Sequence, residues 1–284
     1  MKTWFLLLSC IFFWACSNTT SPSEGSYSSP GSIYISSIVI KSSSSSSVII
    51  SEGVMDKSYW DSKWVAIPEQ ELLVESKWIP VNSFSILETE ITQLMYAEIM
   101  DTLPPQKELK ENLPVASVSW YDAVLFCNAL SKKLELDTAY DYTGIGPKNT
   151  LLNLSFNENN QSVRLPTNVE WEIALRGTTS TEYFWGTGTA SDYAHYGSTS
   201  GAIEVGLKRA NPYGLFDMAG NVHEWVYDWD GPYGITTGSK RIFRGGSWSS
   251  PLSQLASDYT NSALPDESAD TRGFRVVLSN GEME

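Results

Sequence analysis

Between residues 214 and 231 the chain reads GLFDMAGNVHEWVYDWDG. Within it, Gly220-Asn221-Val222-His223-Glu224 sets an amide oxygen, a carboxylate three residues on, and the carbonyls of a turn in one short loop. A hard cation such as Ca2+ collects oxygens of these kinds in irregular loops. Asn221 and Glu224, with the backbone of Gly220 and Val222, are therefore candidate calcium ligands. The same letters have a structural account: Asn221 takes left-handed turn geometry and Glu224 pairs with an arginine. The residues by themselves leave both accounts open. His223 is expected to point outward or against a tryptophan, and not to serve as a base.

Other chemistries find less support. The chain holds 2 histidines and 3 cysteines, with no CxxC, no HExxH and no histidine pair at ligand spacing, so a zinc site is not expected. Cys127 stands on a helical stripe with no base beside it in sequence, which reads as a core residue and not a nucleophile. A net charge of −14, with only 19 scattered basic residues, excludes a phosphate-binding surface and hence nucleic acid as a partner.

The elements that must carry the loop can be placed from their caps. Thr92 predicts the start of one helix after FSILETEIT, with Leu94, Tyr96 and Ile99 facing inward. Ser119 predicts a second, with Asp122 three residues after the cap. Ala123, Cys127, Leu130 and Leu134 then form a 4-3-4 stripe. In RLPTNVEWEIALRG, Thr167 and Glu170 make a capping box and Gly177 a stop. Beyond Gly177 the chain is turns, aromatics and short strand-like pieces such as RIFRGGSW and GFRVVL. Gly245-Gly246 permit a turn with positive φ, and Arg164 and Arg275 can each pair with an acid. With 11 tryptophans and an aromatic share of 12%, large rings compensate for few long helices.

The N-terminus, MKTWFLLLSCIFFWACS, has a basic residue, an apolar run too short to span a bilayer, and a small residue before Cys16. Residues 1–15 are expected to be a signal peptide. Ala15-Cys16 resembles a bacterial lipobox, which makes Cys16 the expected lipidation site; an ordinary signal peptide is the other account. Residues 16–56, rich in serine, read as a low-complexity tether, and 57–281 as the folded domain. The protein is thus expected in the bacterial cell envelope, attached to a membrane through an N-terminal lipid at the outer membrane or cell surface.

Taken in order, FSILETEIT, LPVASVSWYDAVLFCNALS, VRLPTNVEWEIALRG, YFWG, NPYGLFDMAGNVHEW, FRGGSW and RGFRVVL resemble the formylglycine-generating enzyme (sulfatase-modifying factor) family. The resemblance covers about Tyr59 to Leu278. It implies an irregular α+β, C-type-lectin-like fold, with a few capped helices around small antiparallel sheets. It also implies calcium at the GN-x-x-E loop, hence at Asn221 and Glu224, which favours the calcium account over the turn account. Catalytic members hold copper(I) through two cysteines after the RGG-S-aromatic motif, and thiolates are the ligands that metal needs. Here Ser250 and Leu255 stand about where that pair is expected, so copper is not expected and no catalytic residue is assigned. The histidine triad of the family's iron branch is absent too. The expectation is a non-catalytic, lipid-anchored envelope protein used for binding or assembly, a pseudoenzyme with a glycan or an envelope protein as partner. The alternatives are a calcium-assisted glycan-binding module and an oxidoreductase with relocated chemistry.

Overall fold

The computed structural model describes residues 38–41, 47–50 and 55–279. The signal peptide, Cys16 and most of the serine-rich tether lie outside the described residues. A hairpin of β1 (Ile38–Lys41) and β2 (Ser47–Ile50) comes first, followed by α1 (Lys57–Asp61). Next come β3 (Trp64–Ile67), β4 (Gln70–Val74), β5 (Lys77–Val81) and β6 (Phe84–Leu87). The helical part consists of α2 (Gln93–Met100) and α3 (Trp120–Lys133). Short strands β7 (Tyr140–Asp141), β8 (Gly144–Ile145), β9 (Leu151–Leu152), β10 (Ser155–Phe156) and β11 (Val163–Arg164) lead to α4 (Asn168–Arg176) and α5 (Ala190–Tyr193). The chain closes with β12 (His223–Trp229), β13 (Arg241–Arg244), β14 (Asn261–Ala263), β15 (Arg272–Gly273) and β16 (Val277–Leu278).

Two four-stranded sheets organise these elements, in the orders β11-β16-β6-β3 and β14-β13-β12-β15. The expected α+β architecture of capped helices and small sheets is what the structure contains. The pairings are antiparallel except β12 with β15, which run parallel and set His223 against Arg272 and Glu224 against Gly273.

The helix starts follow the capping chemistry. Thr92, Ser119 and Thr167 each accept a hydrogen bond from the backbone N–H three residues on. Asp122 and Glu170 close the reciprocal bond, satisfying two donors that a helix end otherwise leaves free. Arg164 grips Glu170 through two bonds of 2.7 Å. The head of RLPT therefore holds the cap of the helix that follows it. In α3 the whole 4-3-4 stripe is buried, Cys127 included. In α2 the inward face is centred one residue away from expectation: Tyr96 is buried with Met95 and Ala97, while Leu94 and Ile99 are half-buried.

The core has two main parts. One gathers α2, α3, Trp225 and Phe274; the other gathers α4, with Trp171, against Phe84, Ile86, Leu215 and Val226. Strand β12 runs between them, accepting one bond from the first residue of α3 and donating one to the segment just before that helix. Trp120 Nε1 donates to the Val226 carbonyl at 2.9 Å, and Trp225 Nε1 donates to the Val118 carbonyl at 3.1 Å. This fixes the loop that precedes β12.

Candidate functional site

The loop Asp217–Glu224 is held from several sides. Asn221 has φ of +55°, the left-handed geometry that asparagine tolerates. Its Oδ1 accepts from the Ile203 N–H at 2.9 Å, and its Nδ2 donates to Glu90 Oε2 at 2.7 Å. The other Glu90 oxygen accepts from the Val222 N–H at 3.0 Å. Gly220 is required by space as well as by φ, since a Cβ there would collide with the His195 carbonyl. The Asn221 carbonyl accepts from the Trp248 N–H at 2.7 Å, which ties the loop to the end of RGGSW.

Glu224 is 1% exposed and lies under Arg275, itself fully buried. Arg275 Nε donates to Oε2 at 2.7 Å and Nη2 to Oε1 at 2.8 Å, a bidentate pair. Trp171 Nε1 also donates to Oε2, at 2.7 Å. The guanidinium is satisfied further by the carbonyls of Leu87, Glu88 and Phe216. Thus the side-chain oxygens of both expected calcium ligands face protein donors, in the arrangement of the structural account: a left-handed asparagine and an arginine-paired glutamate.

Two acids that the sequence did not single out stand with this loop. Glu90, from ETEIT, is fully buried, and burial followed by the charges of Asp217 and Glu224 pushes its carboxyl well above the usual range. Burial likewise raises Asp217. Asp217 Oδ2 accepts from the Gly206 N–H at 2.6 Å, whereas Oδ1 is buried with no donor. An acid inside an apolar run, as in LFDM, was the signal that could have found Asp217; ETEIT, with two acids and two threonines, carries no such signal for Glu90.

His223 does not point outward and does not meet a tryptophan. It is 8% exposed, its ring set edgewise to Phe243 at 4.8 Å between centroids. The β-strand alternation that places Glu224 on one face turns His223 to the other. Burial, with the Arg272 charge second, lowers its pKa to about 4. Ser250 Oγ lies 3.4 Å from His223 Nε2 and accepts from the Ser247 N–H at 3.1 Å. A serine beside a histidine invites comparison with an activated nucleophile. No carboxylate bonds the other ring nitrogen, and Ser250 is 4% exposed, so neither the orienting third group nor substrate access is provided. Leu255 is packed in the core, where a Cβ on Gly246 would come within 2.6 Å of it. Cys127 is buried in α3 and burial raises its thiol pKa; among the described residues it is the only cysteine. No group of three His, Cys, Asp or Glu side chains converges for a metal among the described residues.

These features define a C-type-lectin-like domain of the formylglycine-generating type, with its loop and arginine framework intact and serine and leucine where thiols are expected. A family model described as sulfatase-modifying factor enzyme 1-like domain matches residues 41–280. The chain belongs to that family. Chaperone protein LppX of Paenibacillus barcinonensis is 31% identical over 232 residues, spanning 72% of this chain and 82% of that protein. The formylglycine-generating enzyme of Mus musculus is 28% identical over 202 residues, which cover 60% of this chain but 45% of the mouse protein. Among solved structures, Treponema denticola variable protein 1 superposes with a TM-score of 0.69 at 29% identity, covering 76% of this chain and 94% of that one. Among the described residues no helix is long and apolar enough to cross a membrane.

Proposed function

We propose that the chain is a non-catalytic member of its family, lipid-anchored through Cys16 in the cell envelope and used for binding or assembly. The observation that carries this is the chemistry of the segment after RGGSW. Ser250 is hydrogen-bonded inside the fold, Leu255 is a core residue, and Cys127 is enclosed in a separate helix. Among the described residues copper(I) has no thiolate pair to bind. The name of LppX, a chaperone, supports assembly among the uses of such a domain. The purified protein, supplied with copper and a sulfatase peptide, should leave the peptide cysteine unchanged by mass spectrometry. Conversion to formylglycine would overturn the reading. Separately, Cys16→Ser should move the protein from the membrane fraction to the soluble one.

Calcium remains a second reading, favoured by one observation: Asp217 Oδ1 is a buried oxygen without a donor, in the same loop as Asn221 and Glu224. With the latter two committed to Ile203, Trp171 and Arg275, the ligand role falls chiefly on Asp217 and backbone carbonyls. Saturating calcium should then raise the melting temperature of wild type by ligand linkage and leave Asp217→Asn unmoved. No shift in either protein would assign the loop to Glu90 and Arg275 alone.

A further inference from the structure

Buried arginines in this chain come with partners, with one exception. Among the described residues, Arg164 is paired with Glu170, Arg244 with Glu172 and Arg275 with Glu224, while Arg241 donates to the Tyr227 carbonyl. Desolvation demands this, since a buried charge without a counter-charge is costly. Arg272 is 8% exposed, yet its guanidinium has neither an ion pair nor a hydrogen-bond acceptor among the described residues.

Arg272 stands on β15, the end strand of its sheet, opposite His223. Its guanidinium lies over the rings of Trp225 and Phe243, 4.5 Å from each centroid. The rings hold it by cation–π attraction but offer no lone pair to its N–H groups. Of its nitrogens, Nη1 is enclosed without an acceptor. Nε and Nη2 are neither bonded nor enclosed, so their edge is the part open to an incoming group. His223 adds no donor there, because its unpartnered Nδ1 is enclosed. The one acid whose charge acts on Arg272 is Glu267. It forms no ion pair with the arginine, and its Oε2 accepts from the Leu264 N–H at 3.2 Å.

The open edge has a filled counterpart in the same fold. In Arg275 the same two atoms, Nε and Nη2, take the two oxygens of Glu224 at 2.7 and 2.8 Å, the fork that matches a carboxylate. We propose that the Nε–Nη2 edge of Arg272 is a receptor for a carboxylate that no described residue supplies, brought as the acidic side chain of a partner polypeptide or as a free small acid. A monoanion suits it better than a phosphate dianion, since Arg272 offers a single positive charge and Glu267 opposes a second negative one. The site draws on neither the loop at Asn221 nor the positions where thiols are expected, so it stands whether or not the chain is catalytic.

Sodium acetate is the probe, added to the full chain against sodium chloride at equal ionic strength, with the shift of the Trp225 indole N–H as reporter. A saturable shift is expected with acetate. Acetamide, its neutral counterpart, should bind about tenfold more weakly or less, the worth of one charge-assisted bond. Arg272→Met keeps an apolar chain over the two rings and should abolish the acetate response. Arg272→Lys keeps the charge but not the fork, and should weaken acetate by about tenfold. The melting temperature of each variant in chloride reports that the fold is kept. Glu267→Gln should bind acetate more tightly, because it removes the opposing charge. Peptides carrying glutamate or glutamine at one position tell the sources apart. Competition by the glutamate peptide alone assigns the edge to a partner polypeptide, and acetate binding without peptide competition assigns it to a free acid. Equal responses to acetate and chloride, equal binding of acetamide, or undiminished acetate binding in Arg272→Met and Arg272→Lys would each overturn the proposal.

Discussion

Replacing Arg275 with methionine tests the centre of the fold most directly. The substitution removes two charge-assisted bonds to Glu224, of 2.7 and 2.8 Å, and leaves that carboxylate 1% exposed with the Trp171 indole as its remaining side-chain donor. Breaking a buried ion pair by deleting one partner costs about 3–5 kcal/mol, because the other charge stays buried and uncompensated. Loss of the donors to the Leu87, Glu88 and Phe216 carbonyls adds about 0.5–1.5 kcal/mol net for each bond. Against a whole-domain stability of about 5–15 kcal/mol, Arg275→Met should sit near its unfolding midpoint at modest urea. Glu224→Gln keeps an acceptor for Trp171 and removes the charge. The double variant should therefore be more stable than the sum of the single losses by at least about 2 kcal/mol. Urea titrations read by tryptophan fluorescence measure all three proteins against wild type. A cost below about 1 kcal/mol for Arg275→Met, or strict additivity in the cycle, would refute the assignment of this pair as the clamp of the loop.

Two further outcomes follow from the buried groups. Glu90 and Asp217 have folded pKa values raised above their unfolded ones, by burial first. A raised carboxyl contributes stability that is fully present below the unfolded pKa and lost as pH rises through the folded one. In chelator, wild-type stability should accordingly fall relative to Asp217→Asn as pH rises above the unfolded carboxyl value of about 4, and parallel pH profiles would count against the coupling. Cys127, fully enclosed with its thiol pKa raised by burial, should ignore a disulfide-exchange reagent in the native protein and react once in urea. Rapid native labelling would show that α3 opens more readily than its packing allows.

Much of this arrangement was legible from local chemistry. A cap needs only residues three apart, so Thr92, Ser119 and Thr167 announced their helices, and Arg164 needed only the nearby Glu170. The α3 stripe was visible because a 3.6-residue period survives in fourteen residues. In the eight residues of α2 the period was too short to fix the face, and Met95 displaced Leu94 from the interior. The loop residues Asn221 and Glu224 were found, but their partners were not. Glu90 lies 131 residues from Asn221, and Arg275 lies 51 residues from Glu224. Spacing along a chain carries no record of contacts at such separations. His223 was misplaced for a related reason: only the pairing of β12 with β13 and β15 decides which face of the strand is covered.

Strand β16 lies inside its sheet, between β11 and β6, although it is the last strand among the described residues. Residues 277 and 278 must be delivered before the sheet that begins with β3 can close, and Arg275 arrives only just before them. The domain therefore cannot acquire its stability piecemeal as it emerges, N-terminal half first. Long-range closure of this kind makes folding slow and concentrates it in a final step. A chain built this way stays in a threadable state until its last strand is free, and a nascent product cut short of residue 275 lacks both the guanidinium and the strand that knit its two halves together.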